Sequence, residues 1–345
     1  MASILEREIL EQPAIAQQFL LRETENARHI ARELRGRFNF MVIAARGSSD
    51  NAARYAQYLF GVQHRIQVAL ATPSLFTIYR TAPNLNGALV IGISQSGQSP
   101  DIVAVLEEGK KQGRPTLAIT NDSSSPLAQA ADYILPLGTG IEQAVAATKT
   151  YTTSLAALAL LSCCLQENNQ NLEELQKIPA QMQLTLDGLG AAMGHVERYR
   201  YMEQCAVLGR GLNYGTAFEV ALKIKELTTV VAEPYSSADF RHGPIATAQP
   251  GFPVVVVAPR GSVYQDMDAL IGELQSRHAE LLVISDDEHA LDMANLAMPF
   301  QPGLPEWLTP LVAVLPGQRF ALQLTLEKGM NPDQPEGLQK ITETF

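Results

Sequence analysis

A serine-rich loop at residues 94–99 offers the donors that a phosphate group needs. Its polar side chains belong to Ser94, Gln95, Ser96 and Ser99. The loop follows an apolar run at 89–93 and leads into a predicted helix, for which Ser99 suits the N-cap, Pro100 the first position and Gly97 the preceding tight turn. Hydroxyls, backbone N–H groups and the positive end of a helix dipole can together hold a dianion without lysine. Because neither a Walker loop nor a Gly-x-Gly-x-x-Gly turn is present, a nucleotide is disfavoured.

A predicted helix at residues 217–227 carries three charged side chains on one face. Glu219, Lys223 and Glu226 are spaced i, i+4 and i+7 and therefore share that face. A solvated, salt-bridged surface is the ordinary interpretation of this spacing. The following segment, 232–244, is long, polar and irregular by pattern, which is typical of functional loops. It contains His242, although a loop histidine is more often merely exposed than catalytic.

An internal repeat organises the chain. Gly47 and Gly211 end similar Arg-Gly sequences 164 residues apart, and two apolar runs recur at the same offset, so two copies of one domain are predicted. In the second copy the segment aligned with the serine-rich loop, 258–264, is not rich in hydroxyls, which predicts one phosphate site per chain. Ordinary turns also collect serine, glycine and proline. A second strand-end loop places Ser49 beside a helix, where plain N-capping explains it equally well.

Short apolar runs without polar alternation, such as 40–44, 88–93 and 116–119, predict parallel strands that are buried on both faces. Helical patterns lie between these runs, so the predicted fold is α/β. Specifically, it comprises two tandem doubly wound, flavodoxin-like parallel-sheet domains, each a three-layer α/β/α sandwich, followed by a C-terminal tail. The predicted boundaries are an N-terminal helix at 1–24, domains at 25–165 and 190–320, a helical linker at 166–189, and a C-terminal helix and tail at 321–345.

Composition limits the partners of the protein. The 345 residues carry a formal net charge of −10, which argues against bulk attraction to nucleic acid or acidic membranes. The acidic N-terminus does not resemble an export signal, and the longest nearly apolar run, 155–165, is too short to span a membrane. Three cysteines, two of them adjacent, offer neither a disulfide framework nor a Cys-x-x-Cys site. We therefore expect a cytoplasmic protein without nucleic-acid or membrane partners.

Six motifs in order resemble the SIS (sugar isomerase) family, and within it the isomerase half of the glucosamine-6-phosphate synthases. They are Ser94-Gln95-Ser96-Gly97, Ala147-Thr148-Lys149, Gly209-Arg210-Gly211, the run from Glu219 to Glu226, Arg241-His242-Gly243-Pro244, and Asp333-Gln334-Pro335. The resemblance spans nearly the whole chain. The glutaminase domain of the synthases has no counterpart in this sequence, so glutamine hydrolysis is not expected.

The resemblance implies roles for individual residues. The phosphate site would be formed by Ser49, Ser94, Gln95, Ser96 and Ser99. Val145 would line the pocket, Glu226 would move a proton between C1 and C2 of the open-chain sugar, and Lys223 would stabilise or relay charge. His242 would open the sugar ring across the subunit interface of a homodimer, and Lys340 of the tail would contact the ketose or form an imine with it. Such chemistry needs no metal or other cofactor, so none is expected.

Three departures from the synthases bear on the reaction. Gln98-Ser99-Pro100 stands where the synthases have Glu-Thr-Ala, Glu336 stands where arginine is usual, and the final residues differ. Residues 232–240 are similar to stand-alone SIS proteins that deaminate glucosamine 6-phosphate. The sequence therefore predicts an isomerase/deaminase that converts this hexose phosphate to fructose 6-phosphate and ammonia. The alternatives are a glutaminase-less synthase-like isomerase, a deglycase of a phosphorylated fructosamine, and a non-catalytic phosphosugar sensor, against which Glu226 and Lys340 argue.

Overall fold

Two five-stranded parallel sheets dominate the computed structural model, which describes residues 2–338 and 340. The first sheet contains β1 (Phe40–Ala44), β2 (Gln67–Leu70), β3 (Ala88–Ser94), β4 (Thr116–Thr120) and β5 (Tyr133–Pro136). The second contains β6 (Gln204–Gly209), β7 (Val231–Ser236), β8 (Pro253–Val257), β9 (Glu280–Ser285) and β10 (Leu296–Pro299).

The two sheets have the same topology. Their strand orders are β2-β1-β3-β4-β5 and β7-β6-β8-β9-β10, and each neighbouring pair is parallel. This is the flavodoxin-like order of a doubly wound sheet. Every residue of β3 is buried, as the unbroken apolar run at 88–93 predicted. The predicted fold class of two α/β copies is confirmed.

Helices surround both sheets. They are α1 (Ile4–Leu34), α2 (Ser48–His64), α3 (Ser74–Thr77), α4 (Pro100–Lys111), α5 (Pro126–Ala130), α6 (Lys149–Gln166), α7 (Asn169–Gly188), α8 (Gly190–Met193), α9 (Tyr214–Thr228), α10 (Ser237–Arg241), α11 (Tyr264–Ser276), α12 (Glu288–Asp292) and α13 (Thr309–Glu327). Helix α1 continues ten residues past the predicted end at 24 because Ala27, Ile30 and Leu34 extend its buried face. Among the described residues, no helix is both long and apolar enough to cross a membrane.

The described chain divides into two compact units whose limits differ from the predicted boundaries. The first unit combines residues 2–13, Gln143–Thr148 and Ile178–Leu338. The second unit combines Ala14–Glu142, Lys149–Lys177 and Lys340. The sequence repeat could not reveal this division because contacts between residues distant in the chain determine it.

Asp333 of the Asp-Gln-Pro motif secures the start of α1 within the first unit. Its two carboxylate oxygens accept hydrogen bonds from the backbone N–H groups of Ile4 and Leu5, each at 2.9 Å. Further along α1, Gln12 donates to Gln318 at 2.8 Å. The carboxylate thus satisfies first-turn donors of α1 and places negative charge at the positive end of the helix dipole.

Replacing Asp333 with Ala is expected to lower the free energy of unfolding by about 1–2 kcal/mol, as for loss of an N-cap. Urea unfolding followed by circular dichroism measures the change. Asp333→Asn is the matched control, because its amide oxygen can still accept one of the two hydrogen bonds, and it should cost less. Equal losses in the two variants would contradict the capping role.

Candidate active site

The serine-rich loop of the second unit is held by its own side chains. The Ser94 hydroxyl accepts a hydrogen bond from the Gly97 N–H at 3.1 Å, and the Ser96 hydroxyl accepts one from the Gln98 N–H at 3.3 Å. Ser99 occupies the N-cap position of α4 and Pro100 follows it, as predicted. However, the Ser99 hydroxyl makes no capping hydrogen bond to the described backbone of α4, so Ser99 does not cap this helix through its side chain.

Gly97 is required at its position for two reasons. Its φ of +63° lies in the left-handed region, and a Cβ there would lie 2.1 Å from the Ser125 Oγ. Ser125 in turn caps α5, where its hydroxyl accepts a hydrogen bond from the Ala128 N–H at 3.3 Å. The close approach of Gly97 to Ser125 therefore packs the serine-rich loop against the start of α5.

Gly97→Ala is expected to lower stability and to weaken sugar-phosphate binding, because the new methyl group must displace Ser125. Gly113→Ala is the matched control: it has a similar φ of +69° but open space around the added Cβ. Both variants carry the left-handed cost of about 1–2 kcal/mol, and only Gly97→Ala adds the clash. Thermal unfolding and a binding titration measure the difference. Identical behaviour of the two variants would contradict this account of the loop.

A pocket of about 460 Å³ in the second unit gathers part of the predicted site. It is lined by Gln95, Ser96, Asn121, Gly138, Gly140, Ile141, Glu142 and Lys340. Three residues that the sequence singled out, Gln95, Ser96 and Lys340, therefore line one cavity although the last is distant in the chain. Ser49, Ser94 and Ser99 belong to the same unit but are not among its lining residues.

Glu142 is the main component of this pocket that the sequence did not indicate. Its buried carboxylate accepts hydrogen bonds from the Thr150 N–H at 3.1 Å and the Thr150 hydroxyl at 2.8 Å. The Lys340 ammonium lies 3.2 Å from the same carboxylate, and the lysine side chain is 27% exposed. The pair thus presents a partly accessible cation on a fixed, buried anion. A single glutamate in an irregular segment carries no local pattern that would have revealed this role.

Asn121, which follows β4, connects the serine-rich loop to the opposite wall of the pocket. Its N–H donates to the Gln95 carbonyl at 3.2 Å, and its side-chain amide donates to the Gly140 carbonyl at 2.8 Å. The Asn121 side-chain oxygen also accepts from the Thr139 N–H at 2.8 Å. These bonds fix the shape of the pocket.

Ser49 lies in the first turn of α2, which begins at Ser48 and has Gly47 as its N-cap. The interpretation of Ser49 as a plain N-cap residue is therefore wrong. Arg46, just before this turn, forms an ion pair with Asp101 of α4 at 2.8 Å. The Asp101 side chain is 1% exposed. The ion pair therefore ties the start of α2, which carries Ser49, to the start of α4, which follows Ser99.

In the first unit, α9 places the predicted charged face almost wholly inside the protein. The Lys223 ammonium lies 2.5 Å from the Glu226 carboxylate and 3.5 Å from that of Glu219. Glu219 and Lys223 are buried, whereas the Glu226 side chain is 25% exposed. The interpretation of this helix face as a solvated surface is wrong, because on such a surface all three charged groups would be in water. Glu226 is the most accessible member of the cluster.

Val145 lies in a first-unit segment that α1 holds in place. The buried Glu8 carboxylate accepts hydrogen bonds from the backbone N–H groups of Gln143 at 2.6 Å and Ala144 at 3.2 Å. Val145 is half-buried. The N-terminal helix therefore positions the backbone beside Val145, a connection with no signal in the local sequence.

The segment before His242 is regular rather than irregular. Residues 231–236 form β7, which lies at the edge of its sheet and pairs in parallel with β6; Pro234 is tolerated there as it is on other edge strands. Helix α10 follows, and Arg241 at its end lies 2.9 Å from the Asp266 carboxylate. His242 itself is exposed. The backbone on its N-terminal side is thus anchored while its imidazole faces solvent.

The second copy of the loop, at 258–264, has its donors occupied. The Arg260 N–H donates to the Asp286 carboxylate at 2.7 Å. The Ser262 N–H and hydroxyl both donate to Glu306, at 2.9 and 2.8 Å. Carboxylates within the first unit therefore accept the hydrogen bonds that these groups donate. That the chain has one phosphate site, in the serine-rich loop, stays a prediction.

The chain belongs to the SIS domain family, whose model matches residues 39–162 and 201–296. The first matched segment contains β1–β5, and the second contains β6–β9 and ends at Leu296, the first residue of β10, in agreement with the repeat.

Within this family, the chain is similar to the following proteins. It is 32% identical over 343 residues to the glutamine–fructose-6-phosphate aminotransferase (isomerizing) of Thermococcus kodakarensis, covering 97% of this chain and 57% of that protein. The C-terminal domain of the Francisella tularensis glucosamine-fructose-6-phosphate aminotransferase superposes with a TM-score of 0.87 at 27% identity, over 97% of this chain and 99% of that one. Glucosamine-6-phosphate deaminase of Thermotoga maritima shares the fold, with a TM-score of 0.80 at 22% identity over 99% of this chain and 100% of that one. The chain spans just over half the length of the aminotransferase from Thermococcus.

Proposed function

We propose that this protein is a phosphosugar isomerase that acts as a deaminase, converting glucosamine 6-phosphate and water to fructose 6-phosphate and ammonia. The observation that carries the proposal is the second-unit pocket, in which Gln95 and Ser96 lie with the Glu142–Lys340 pair. Its volume of about 460 Å³ suits a small molecule. Neutral donors suit a phosphate, and a partly accessible amine suits a carbonyl or imine carbon.

The reaction combines an isomerisation by proton transfer, the exchange of ammonia for a lysine amine, and a hydrolysis. His242 assists ring opening, and Glu226 removes the C2 proton of the open aldose and returns it to C1. A second proton passes from the C2 amine to the C1 oxygen, so the aldehyde becomes a hydroxymethyl group and the amine becomes an imine. Lys340 then adds to C2, ammonia leaves, and water hydrolyses the lysine imine to the ketose. The lysine must first lose a proton to become a nucleophile, and the adjacent Glu142 carboxylate is a suitable acceptor.

The decisive assay supplies glucosamine 6-phosphate alone and measures ammonia and fructose 6-phosphate in equal amounts. Lys340→Met should abolish product release while retaining sugar binding. If the parent protein binds the sugar phosphate but shows no turnover at micromolar concentration, the deaminase proposal is wrong and a sensor is favoured.

A synthase-like isomerase is the second candidate, because the relative from Thermococcus is an aminotransferase of this type. Supplying fructose 6-phosphate with ammonium separates the two. Net formation of the amino sugar, with negligible deamination under the same conditions, would favour the second candidate.

We further propose that the protein acts as a homodimer in which His242 serves the partner subunit, since its exposed imidazole at the end of α10 is accessible to another chain. Mixing inactive His242→Ala and Glu226→Gln chains should restore activity, because one site of each mixed dimer would then contain both wild-type groups. No recovery after mixing and subunit exchange would place the histidine in its own subunit's site or outside the reaction.

A further inference from the structure

A second pocket in the second unit is lined by three arginines of α1. Arg28, Arg32 and Arg35 are spaced i, i+4 and i+7, so they share one helix face. The cavity measures about 240 Å³, and its remaining walls come from the end of α6 and the start of α7. These walls are formed by Cys163, Cys164, Glu167, Asn168, Asn169 and Leu172.

Positive charge exceeds negative charge in this arginine pocket. Arg35 pairs with Glu167 at 2.7 Å, and Arg28 pairs with Glu25, outside the lining, at 2.5 Å. Arg32 forms no ion pair within residues 2–338 and 340. Three guanidinium groups therefore face one lining carboxylate, in a chain whose net charge is −10. A local cationic cluster of this kind attracts anions despite the overall charge.

The two cysteines beside the arginines carry no charge that would repel an anion. Burial raises the pKa of Cys163 to about 12 and that of Cys164 to about 11, so both remain neutral thiols at physiological pH. The two thiols therefore place no negative charge of their own beside the guanidinium groups.

The arginine pocket is separate from the pocket lined by Gln95, Ser96 and Lys340, which is called the sugar pocket below. The two share no lining residue, and they lie at opposite ends of α6: Lys149 opens that helix one residue before Thr150, the partner of Glu142, whereas Cys163 and Cys164 lie near its other end. At 1.5 Å per residue, the 14 residues from Lys149 to Cys163 correspond to about 20 Å.

We propose that the arginine pocket binds a small tetrahedral dianion, either inorganic phosphate or the phosphate group of a metabolite, at a site distinct from the sugar pocket. Planar guanidinium groups bind phosphate oxygens in pairs, and the cavity is large enough for one such group. Binding would link α1, α6 and α7 and raise the stability of the folded protein.

Calorimetric titration with inorganic phosphate tests the proposal. Phosphate binding in the arginine pocket should be seen in the parent protein, in Arg7→Gln and in Ser96→Ala. In the double variant Arg28→Gln/Arg32→Gln the same binding should be at least tenfold weaker, since a charge-assisted hydrogen bond contributes about a factor of ten. Arg7→Gln removes an exposed positive charge from the same helix outside the pocket. Ser96→Ala separates this event from binding in the sugar pocket, and the far-ultraviolet circular dichroism of every variant reports its folding.

Tungstate soaked into crystals locates the anion independently through its anomalous signal. A peak between α1 and α6 supports the proposal. Unchanged phosphate affinity in the double arginine variant, or tungstate density confined to the sugar pocket, would overturn it. Titrating glucose 6-phosphate against inorganic phosphate tells whether the site takes the free ion or a phosphate monoester. The deaminase assay does not involve these arginines, so failure of either proposal leaves the other standing.

Discussion

Glu226→Gln is expected to reduce turnover of glucosamine 6-phosphate by about 10²–10⁴-fold, the usual contribution of a general base. The reason is accessibility: of the two carboxylates that contact Lys223, that of Glu219 is fully buried, whereas the Glu226 side chain is 25% exposed. Glutamine keeps the size and one acceptor oxygen of the side chain but cannot take a proton from carbon. Steady-state kinetics and loss of deuterium exchange at C2 in D₂O measure the effect.

Two comparisons make this result specific. Sugar-phosphate affinity should change only slightly in Glu226→Gln, because phosphate binding is assigned to the second unit. Lys225→Gln changes an exposed charge one position away on α9 and should retain nearly full turnover. Full exchange at C2 in the Glu226 variant would show that another group moves the proton.

Lys223→Met is expected to destabilise the protein by about 3–5 kcal/mol, the usual result of breaking a buried ion pair. The Lys223 side chain is 1% exposed and lies between two carboxylates, so its loss removes the cation from beside the fully buried Glu219. Chemical denaturation measures the free energy of unfolding. Lys225→Met, on the exposed side of the same helix, should change it by no more than about 0.5 kcal/mol.

Adding Glu219→Gln to Lys223→Met should recover much of the lost stability, because the negative charge left next to the methionine is then removed as well. Additive losses in the double variant would contradict a direct interaction between the two residues. Activity should not return in the stabilised double variant if Lys223 also relays charge for Glu226.

Local patterns were sufficient for the elements and for part of the site. Strands β1, β3 and β4 were predicted almost to the residue, because unbroken apolar runs are what a sheet covered on both faces requires. The serine-rich loop and its position before α4 followed from turn and capping preferences. The segment at 231–236 was misjudged, because parallel pairing with β6 stabilises a polar edge strand that its own residues do not indicate.

By itself, the sequence determined the duplicated α/β fold, the loop at 94–99, and the helix with Glu219, Lys223 and Glu226. It also indicated Lys340 as a candidate site residue. Only the tertiary structure decided that the helix face is buried, that Asp333 caps α1, and that the tail lysine lies on Glu142 beside Gln95 and Ser96. The reason is physical: spacing along a chain determines which side chains share a face of one element. Burial and ion pairing depend on residues that folding brings together from distant parts of the chain.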